Sequence, residues 1–390
     1  MTEAVIVAAA RTPIGRARKG SLVDVDAFRL AEIAVGEAVS RSGIAAADID
    51  DIVLGESLYG GGDIARHTAV VLGLDNVAGI ADNRHCASGM SAVQLGAGSI
   101  KAGMDTVVVA GGTQSSSSAP QSWMAQPGGE PEIWMSPSHP ETPDAPAFDM
   151  SITVGENTAR EVGLTRRDVD EWAAYSHGQA IASIDSGAFE EEIVAVEYTD
   201  RDGNPRVFSV DEHPRRGVTV ESLAELKPIH PELDNPTVTA GNASGINDAA
   251  AAVVLTSDDF AAAHGLQPLA RVVSWANAGI EPARTGMGPT LAIPKALARA
   301  GLTLDDIDLI EINEAFCSVP VAAVRTLGID PTILNVNGSG CSLGHPIAAT
   351  GARMVVTMVN ELRRRGKTHG LVAMCAGGGM GSALVVEVPA

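Results

Sequence analysis

Aromatic residues are scarce, with Phe, Trp and Tyr together supplying 3% of the 390 residues. A core of the size such a chain buries must therefore be assembled from Ala, Val, Ile and Leu. Positive charge is also short: 27 Lys and Arg stand against 48 Asp and Glu, a formal net charge of −21. That balance excludes a nucleic-acid partner, because phosphate backbones are held by a basic footprint. It leaves room for a small anion, since a local Arg cluster acts against the global field. No stretch reaches the ~18 consecutive apolar residues of a membrane span. The opening MTEAVIVAAARTPIGRARKG lacks the layout of a signal peptide. These absences give the expectation of a cytoplasmic protein that does not touch membranes. The four cysteines, at 86, 317, 341 and 375, form no CxxC and no Cys/His spacing. Zinc, haem and disulfide frameworks are excluded on that ground, and no metal site is expected. The 42 glycines follow no G-X-Y period, which excludes collagen and points to close backbone approaches.

What the chain does contain is a repeat. Residues 30–56 and 291–314 each read as an amphipathic helix, a Gly stop, a short acidic turn and an apolar strand. Placing Gly43 over Gly301 puts Asp48-Ile49-Asp50 over Asp306-Ile307-Asp308 and Gly55-Glu56 over Asn313-Glu314. The same offset of 258 carries Cys86 onto Gly344, one residue before His345. A small-residue helix, a Gly turn and an apolar strand follow both, the strands being 105–112 and 369–379. A duplicated α/β unit with a mostly parallel sheet in each half is the resulting expectation. Between the halves, residues 115–240 turn rich in Pro, Ser and Gly, as an ordered excursion or contact loop would. Helical periodicity resumes over 165–187 with Thr165 as N-cap before Asp168, and TAGNASGINDAAAAVVLTS (239–257) leads back into a strand.

The chemistry-bearing residues fall where these elements meet. Cys86 precedes a helix whose N-terminus lowers a thiol pKa and favours the thiolate. Pro346 after His345 suits the first turn of a second helix. The repeat brings the two helix starts together about a pseudo-twofold axis, which makes a Cys–His pair geometrically reasonable. Cys375 ends an apolar strand before Ala-Gly-Gly-Gly, but the spacing is not GxGxxG and too little chain remains for a dinucleotide-binding unit. Free N–H groups at Gly377, Gly378 and Gly379 would instead suit an oxyanion hole. Asn313 supplies a buried amide near the same centre, where strand-end capping is the plainer role. Cys317 reads as a small core hydrophobe.

Four blocks carry a family likeness. Asn83-Arg84-His85-Cys86-Ala87-Ser88-Gly89, Asn313-Glu314-Ala315-Phe316, Gly344-His345-Pro346 and Cys375-Ala376-Gly377-Gly378-Gly379 resemble the signature blocks of the thiolases. The likeness runs over nearly the whole chain and includes RTPIG (11–15), 237–252 and NVNGSG (335–340). It implies an α/β fold of two duplicated lobes, each a five-stranded mixed sheet layered with helices, plus an inserted loop domain. The implied boundaries are 1–118 plus 246–267, 119–245 and 268–390. The family also implies a homo-oligomer, dimer or tetramer.

The family's roles carry over as expectations. Cys86 resembles the nucleophile that takes the acyl group as a thioester, His345 its activating base, and Cys375 the acid/base at the substrate α-carbon. Asn313 is similar to the residue holding a water in one oxyanion hole, and the N–H groups of Cys86 and Gly377 to the donors of a second. Ser244, Arg215, Ser222, Met150 and Phe316 match coenzyme A contacts. No permanently bound cofactor is implied, coenzyme A and acyl-CoA being substrates. Thr113-Gln114-Ser115-Ser116, Asp149, Ser339 and Cys341-Ser342 depart from the usual family residues, and they bear on the acyl-chain pocket. Thiolytic cleavage and the reverse Claisen condensation use one constellation. The alternatives are a ketoacyl-synthase-like condensing enzyme, which would carry a second His or Asn in place of Cys375, and a non-catalytic acyl-CoA-binding relative.

Overall fold

The computed structural model of the chain describes residues 2–57, 59 and 63–389. Ten strands form its main sheet: β1 (Ala4–Arg11), β2 (Gly15–Arg16), β3 (Asp51–Gly55), β4 (Ile80–Asp82), β5 (Val107–Ser115), β6 (Asn247–Ser257), β7 (Ala270–Gly279), β8 (Leu309–Ile312), β9 (His369–Ala376) and β10 (Met380–Glu387). Their order is β8-β9-β10-β7-β1-β6-β5-β3-β4, with β2 on β6. The principal helices are α1 (Ala27–Ser42), α2 (Ile64–Val71), α3 (Ser88–Lys101), α4 (Arg166–Asp185), α5 (Gly288–Ala300), α6 (Ser318–Leu327) and α7 (Thr350–Arg365).

The repeat is visible in the strand order. Reading outward from the centre, β1-β6-β5-β3 mirrors β7-β10-β9-β8. A short antiparallel contact, Val5 to Arg271 and Ile6 to Ala270, joins the halves. Each half is mixed rather than mostly parallel: β3–β5 and β8–β9 run parallel, whereas β1–β6, β6–β5, β7–β10 and β10–β9 run antiparallel. Strands buried on both faces gave the parallel expectation. Here the inner strands are covered on both faces by helices, so burial does not report strand direction. Both repeat helices end as their sequences dictate, with Gly43 (φ +66°) and Gly301 (φ +71°) in the left-handed region. The acidic turns do equivalent work. Asp50 Oδ2 accepts from the N–H groups of Thr106 and Val107, and Asp308 Oδ2 from those of Thr368 and His369, each fixing the next strand of its half.

Side-chain alternation along the strands builds five layers. In β5, Val107 and Val109 face α1 and α2, while Val108 and Ala110 face α3. A bulge between Ile6 and Ala8 turns the consecutive Val7 and Ala8 to the same face of β1. The central layer is α3 and α7, whose Val93, Ala97, Val355 and Val359 are enclosed by strands of both halves. The opposite outer layer is α5 and α6, packed through Ile293, Ala296, Val319 and Ala323 on Ile312, Leu371 and Val385. No aromatic side chain is fully buried in the central cluster, as the composition requires.

The 115–240 excursion is ordered. It holds an exposed hairpin (Ser122–Met124 with Glu132–Trp134), α4, and a second hairpin (Val196–Thr199 with Pro205–Phe208). Helix α4 starts where the periodicity places it, behind a Thr165/Asp168 capping box.

Candidate active site

The two central helices touch at their starts, backbone against backbone. A Cβ on Gly89 would lie 2.7 Å from the Ala348 carbonyl oxygen, and one on Gly351 only 2.4 Å from the Met90 nitrogen. Only glycine permits this approach, and it draws the loops carrying Cys86 and His345 together.

Cys86 is half-buried, just ahead of the Ala87 cap of α3. Burial pushes its thiol up to about 11, although the Gly377 N–H and its own backbone N–H both favour the thiolate. The expected depression at the helix start is thus overturned, because loss of hydration outweighs the backbone donors. Cys375, at the end of β9, is buried and stands near enough to Cys86 for charge on the one to act on the other. Burial and this proximity hold its thiol far above the ordinary cysteine range. Gly377 therefore faces Cys86, with the two cysteines beside each other.

His345 is buried in a turn resting on Asn247, whose Oδ1 accepts the His345 N–H at 3.0 Å while its amide donates to the Gly15 carbonyl at 2.9 Å. Gly344, at φ +106°, has room for no Cβ against Asn247. The imidazole Nδ1 lies 2.7 Å from Thr350 Oγ1 and 3.5 Å from Asn313 Nδ2. Its Nε2 and the Asn313 Oδ1 are both buried without a hydrogen-bond partner. Two orphaned polar atoms in one place mark a cradle for an oxygen atom that arrives with substrate or water. Burial, and then the Arg353 charge, lower the His345 pKa to about 4, so the ring is neutral. Helix α7 begins only at Thr350. Pro346 instead opens a turn whose carbonyl accepts from the Ala349 and Thr350 N–H groups, since the turn must first carry His345 past Asn247.

Glu314 anchors the surroundings. Its carboxylate accepts from Trp172 Nε1 (2.8 Å), Ser176 Oγ (2.6 Å), Asn335 Nδ2 (2.7 Å) and the Cys341 N–H (3.1 Å). Burial raises its pKa against the pull of these donors. The residue ties α4 to both loops that bear site groups. The Asn313 side chain lies against His345, its amide nitrogen 3.5 Å from Nδ1, while its backbone N–H donates to the Ala373 carbonyl at 3.0 Å.

The remaining candidates divide. The Ser244 N–H donates to the Ala315 carbonyl at 2.9 Å, and Ala243 bridges Phe316. Phe316 and Met150 both pack on the apolar cluster that contains Cys375. The Ser244 loop is thus bound to the segment that follows Asn313, and Met150 shares an apolar cluster with Phe316 and Cys375. Arg215 and Ser222 lie on the surface. The Arg215 N–H donates to His177 Nδ1 at 3.2 Å and its guanidinium is open, while Ser222 closes a capping box with Thr219. Sequence reasoning passed over Asn247, Thr350 and the role of Glu314. Asn247 and Glu314 stand inside quoted blocks, whereas Thr350 carried no signal beyond its place before a small-residue helix. Among the described residues, no cluster of three or more His, Cys, Asp or Glu could hold a metal ion, and no helix is long and apolar enough to cross a membrane.

The thiolase N-terminal domain matches residues 4–259 and the thiolase C-terminal domain residues 266–388. The chain belongs to the thiolase family of acyltransferases. It is 42% identical to the acetyl-CoA acetyltransferase of Pseudomonas aeruginosa, over 99% of each protein. The crystal structure of the Bacillus anthracis acetyl-CoA acetyltransferase superposes with a TM-score of 0.90 at 38% identity, covering 100% of this chain and 99% of that one. The human mitochondrial 3-ketoacyl-CoA thiolase superposes equally well, TM-score 0.90, at 34% identity, with 100% and 99% covered.

Proposed function

We propose that this thiolase transfers an acyl group between a 3-ketoacyl-CoA and coenzyme A through a thioester on Cys86. The observation that carries the reading is the Gly377 N–H on the Cys86 sulfur with Cys375 beside it. In the cleavage direction Cys86 Sγ attacks the 3-keto carbon, and His345 Nε2 takes the thiol proton. With Cys86 near 11 and His345 near 4, a free thiolate–imidazolium pair is strongly uphill. Proton transfer must then coincide with formation of the C–S bond, which passes the charge to the substrate oxygen. The orphaned His345 Nε2 and a water on Asn313 Oδ1 receive that oxygen, and preorganised donors of this kind each contribute a few kcal/mol. The C2–C3 bond breaks, and Cys375, protonated at neutral pH, gives its proton to C2 of the departing acetyl-CoA. The N–H groups of Cys86 and Gly377 hold the thioester oxygen. Coenzyme A attacks the thioester and gives its thiol proton to Cys375, while Cys86 leaves and takes back the proton held on His345. Claisen condensation is the same path reversed.

Ser244, Met150 and Phe316 are assigned to the pantetheine arm, with Arg215 and Ser222 at the nucleotide end. The working units are 1–118 plus 246–267, 119–245 and 268–390, in a cytoplasmic homo-oligomer. Exposed Trp123, Met124, Ile133 and Trp134 on the hairpin support self-association. The decisive experiment is incubation with acetyl-CoA followed by peptide mapping. The acetyl group should sit on Cys86, and a label on Cys375 or Cys341 would overturn the assignment.

A further inference from the structure

Beside Gly377 stand side chains that this reaction does not use. His85 directly precedes Cys86 and holds a left-handed backbone, φ +48°, with its N–H donating to Asn83 Oδ1 at 3.0 Å. That turn lays the imidazole along the glycine edge: a Cβ on Gly377 would be 3.5 Å from His85 Cγ and 3.6 Å from Ser138 Cβ. One on Gly378 would be 2.6 Å from the Ser138 carbonyl oxygen. The wall beside Gly377 is thus built from His85 and Ser138.

The roles of the two nearby histidines differ. His139 is buried, and its Nε2 lies 3.0 Å from the Ala145 carbonyl, which can only accept. Nε2 therefore carries the proton, and Nδ1 takes the Ser138 hydroxyl at 2.8 Å. Both ring nitrogens are committed to shaping the loop, which reciprocal bonds between Thr142 and Ala145 close. His85 remains half-buried with its ring at the reaction centre. Burial and the nearby His139 lower its pKa, so at neutral pH it presents one donor and one acceptor rather than a fixed charge.

We propose that His85 determines specificity by hydrogen-bonding an oxygen on the acyl chain, so that the preferred substrates are 3-ketoacyl-CoAs bearing a hydroxyl, keto or carboxylate group a few carbons from the reacting carbonyl. A plain hydrocarbon chain lying on this wall would strip water from the imidazole and return no partner. Sites built to bond a substrate oxygen reject the analogue that lacks it far more strongly than a pocket rejects a methylene. The inference rests on the thiolase reading above.

The test compares kcat/KM for CoA-dependent cleavage of 3-oxohexanoyl-CoA, 6-hydroxy-3-oxohexanoyl-CoA and 3-oxohexanedioyl-CoA, which share one chain length. At least one oxygenated substrate should exceed the plain chain by roughly 10-fold or more, and the two oxygenated arms tell a neutral oxygen from a carboxylate. His85→Leu should erase that gap. His85→Asn, which suits the left-handed backbone and keeps a donor, should retain part of it. Equal rates for all three substrates in the wild type, or a gap that survives His85→Leu, would overturn the proposal. If His85→Leu does not fold, the wild-type panel and His85→Asn still decide. Failure of all three substrates together with absence of acetyl on Cys86 would condemn the thiolase reading instead.

Discussion

His345 Nδ1 and Thr350 Oγ1 are 2.7 Å apart, and the same hydroxyl lies 3.0 Å from the Pro346 carbonyl. A carbonyl only accepts, so the hydroxyl proton goes to Pro346 and the oxygen accepts from Nδ1–H. This fixes the tautomer that leaves Nε2 with a free lone pair facing the site. Thr350→Val keeps the shape and removes the acceptor. It should lower kcat/KM by roughly 10-fold, the worth of about one buried hydrogen bond, and Thr350→Ser should restore most of it. Steady-state kinetics of the two variants provide the check, and a fully active Thr350→Val would remove the tautomer argument.

Replacing the two cysteines should break different steps. Cys86→Ala should abolish acyl-enzyme formation and all turnover. Cys375→Ala should still accept acetyl from acetyl-CoA, because that half-reaction makes no carbon–carbon bond. It should lose α-proton exchange and carbon–carbon bond cleavage by about 10²-fold or more, as expected when a positioned acid/base is deleted. Deuterium exchange into acetyl-CoA reads the first effect and thiolysis the second. Unimpaired thiolysis by Cys375→Ala would falsify the two-cysteine mechanism.

Much of this site was legible in the sequence because the repeat places Cys86 directly ahead of α3 and His345 in the turn that leads into α7. The Gly43 and Gly301 stops and the Asp50 and Asp308 turns were readable for the same reason, since each is a local device. Strand direction was not legible, because buried apolar runs look alike whether their neighbours run parallel or antiparallel. The Cys86 pKa was misjudged because position at a helix start is local, whereas burial comes from all the layers around it. Asn247 and Thr350 escaped notice because their value lies in single hydrogen bonds to a residue distant in sequence or across a turn.

Arg215 and Arg216 are adjacent in the chain but differ electrostatically. Arg216 is paired with Asp185 through two bonds of 2.7 and 2.5 Å, whereas Arg215 leaves its guanidinium open. Of the two, Arg215 then has the free charge to offer a coenzyme A phosphate on a protein of net charge −21. Arg215→Ala should raise KM for coenzyme A several-fold with kcat nearly unchanged, the pattern of uniform binding. Arg216→Ala should change KM little, since its guanidinium is already engaged by the Asp185 carboxylate. A fall in kcat at constant KM for Arg215→Ala would contradict the assignment.

His213 offers a prediction about acid stability. It is buried against Gly245, where a Cβ would sit 2.2 Å from its Cε1, and it faces Arg215, Arg16, His177 and the Cys341 carbonyl. Burial first, then the Arg215 and Arg16 charges, lower its pKa from 6.5 to about 4. The unfolded chain therefore binds a proton that the folded chain refuses between those values. Stability is lost as pH falls from about 6.5 toward 4 and levels off below it. His177 and His345, also lowered to about 4, add to the same loss, while the raised carboxylates of Glu56 and Asp82 oppose it. A difference measurement cancels the terms of groups that do not feel His213, and the relief of His177, whose pKa the His213 charge lowers, has the same sign. His213→Phe removes one proton-linked group while keeping a ring in the space, so its stability relative to wild type should rise by on the order of 2 kcal/mol between pH 7 and pH 4.5. Urea midpoints of the two proteins across that range decide the matter. Parallel pH curves would mean that His213 takes up its proton in the folded protein as readily as in the unfolded one.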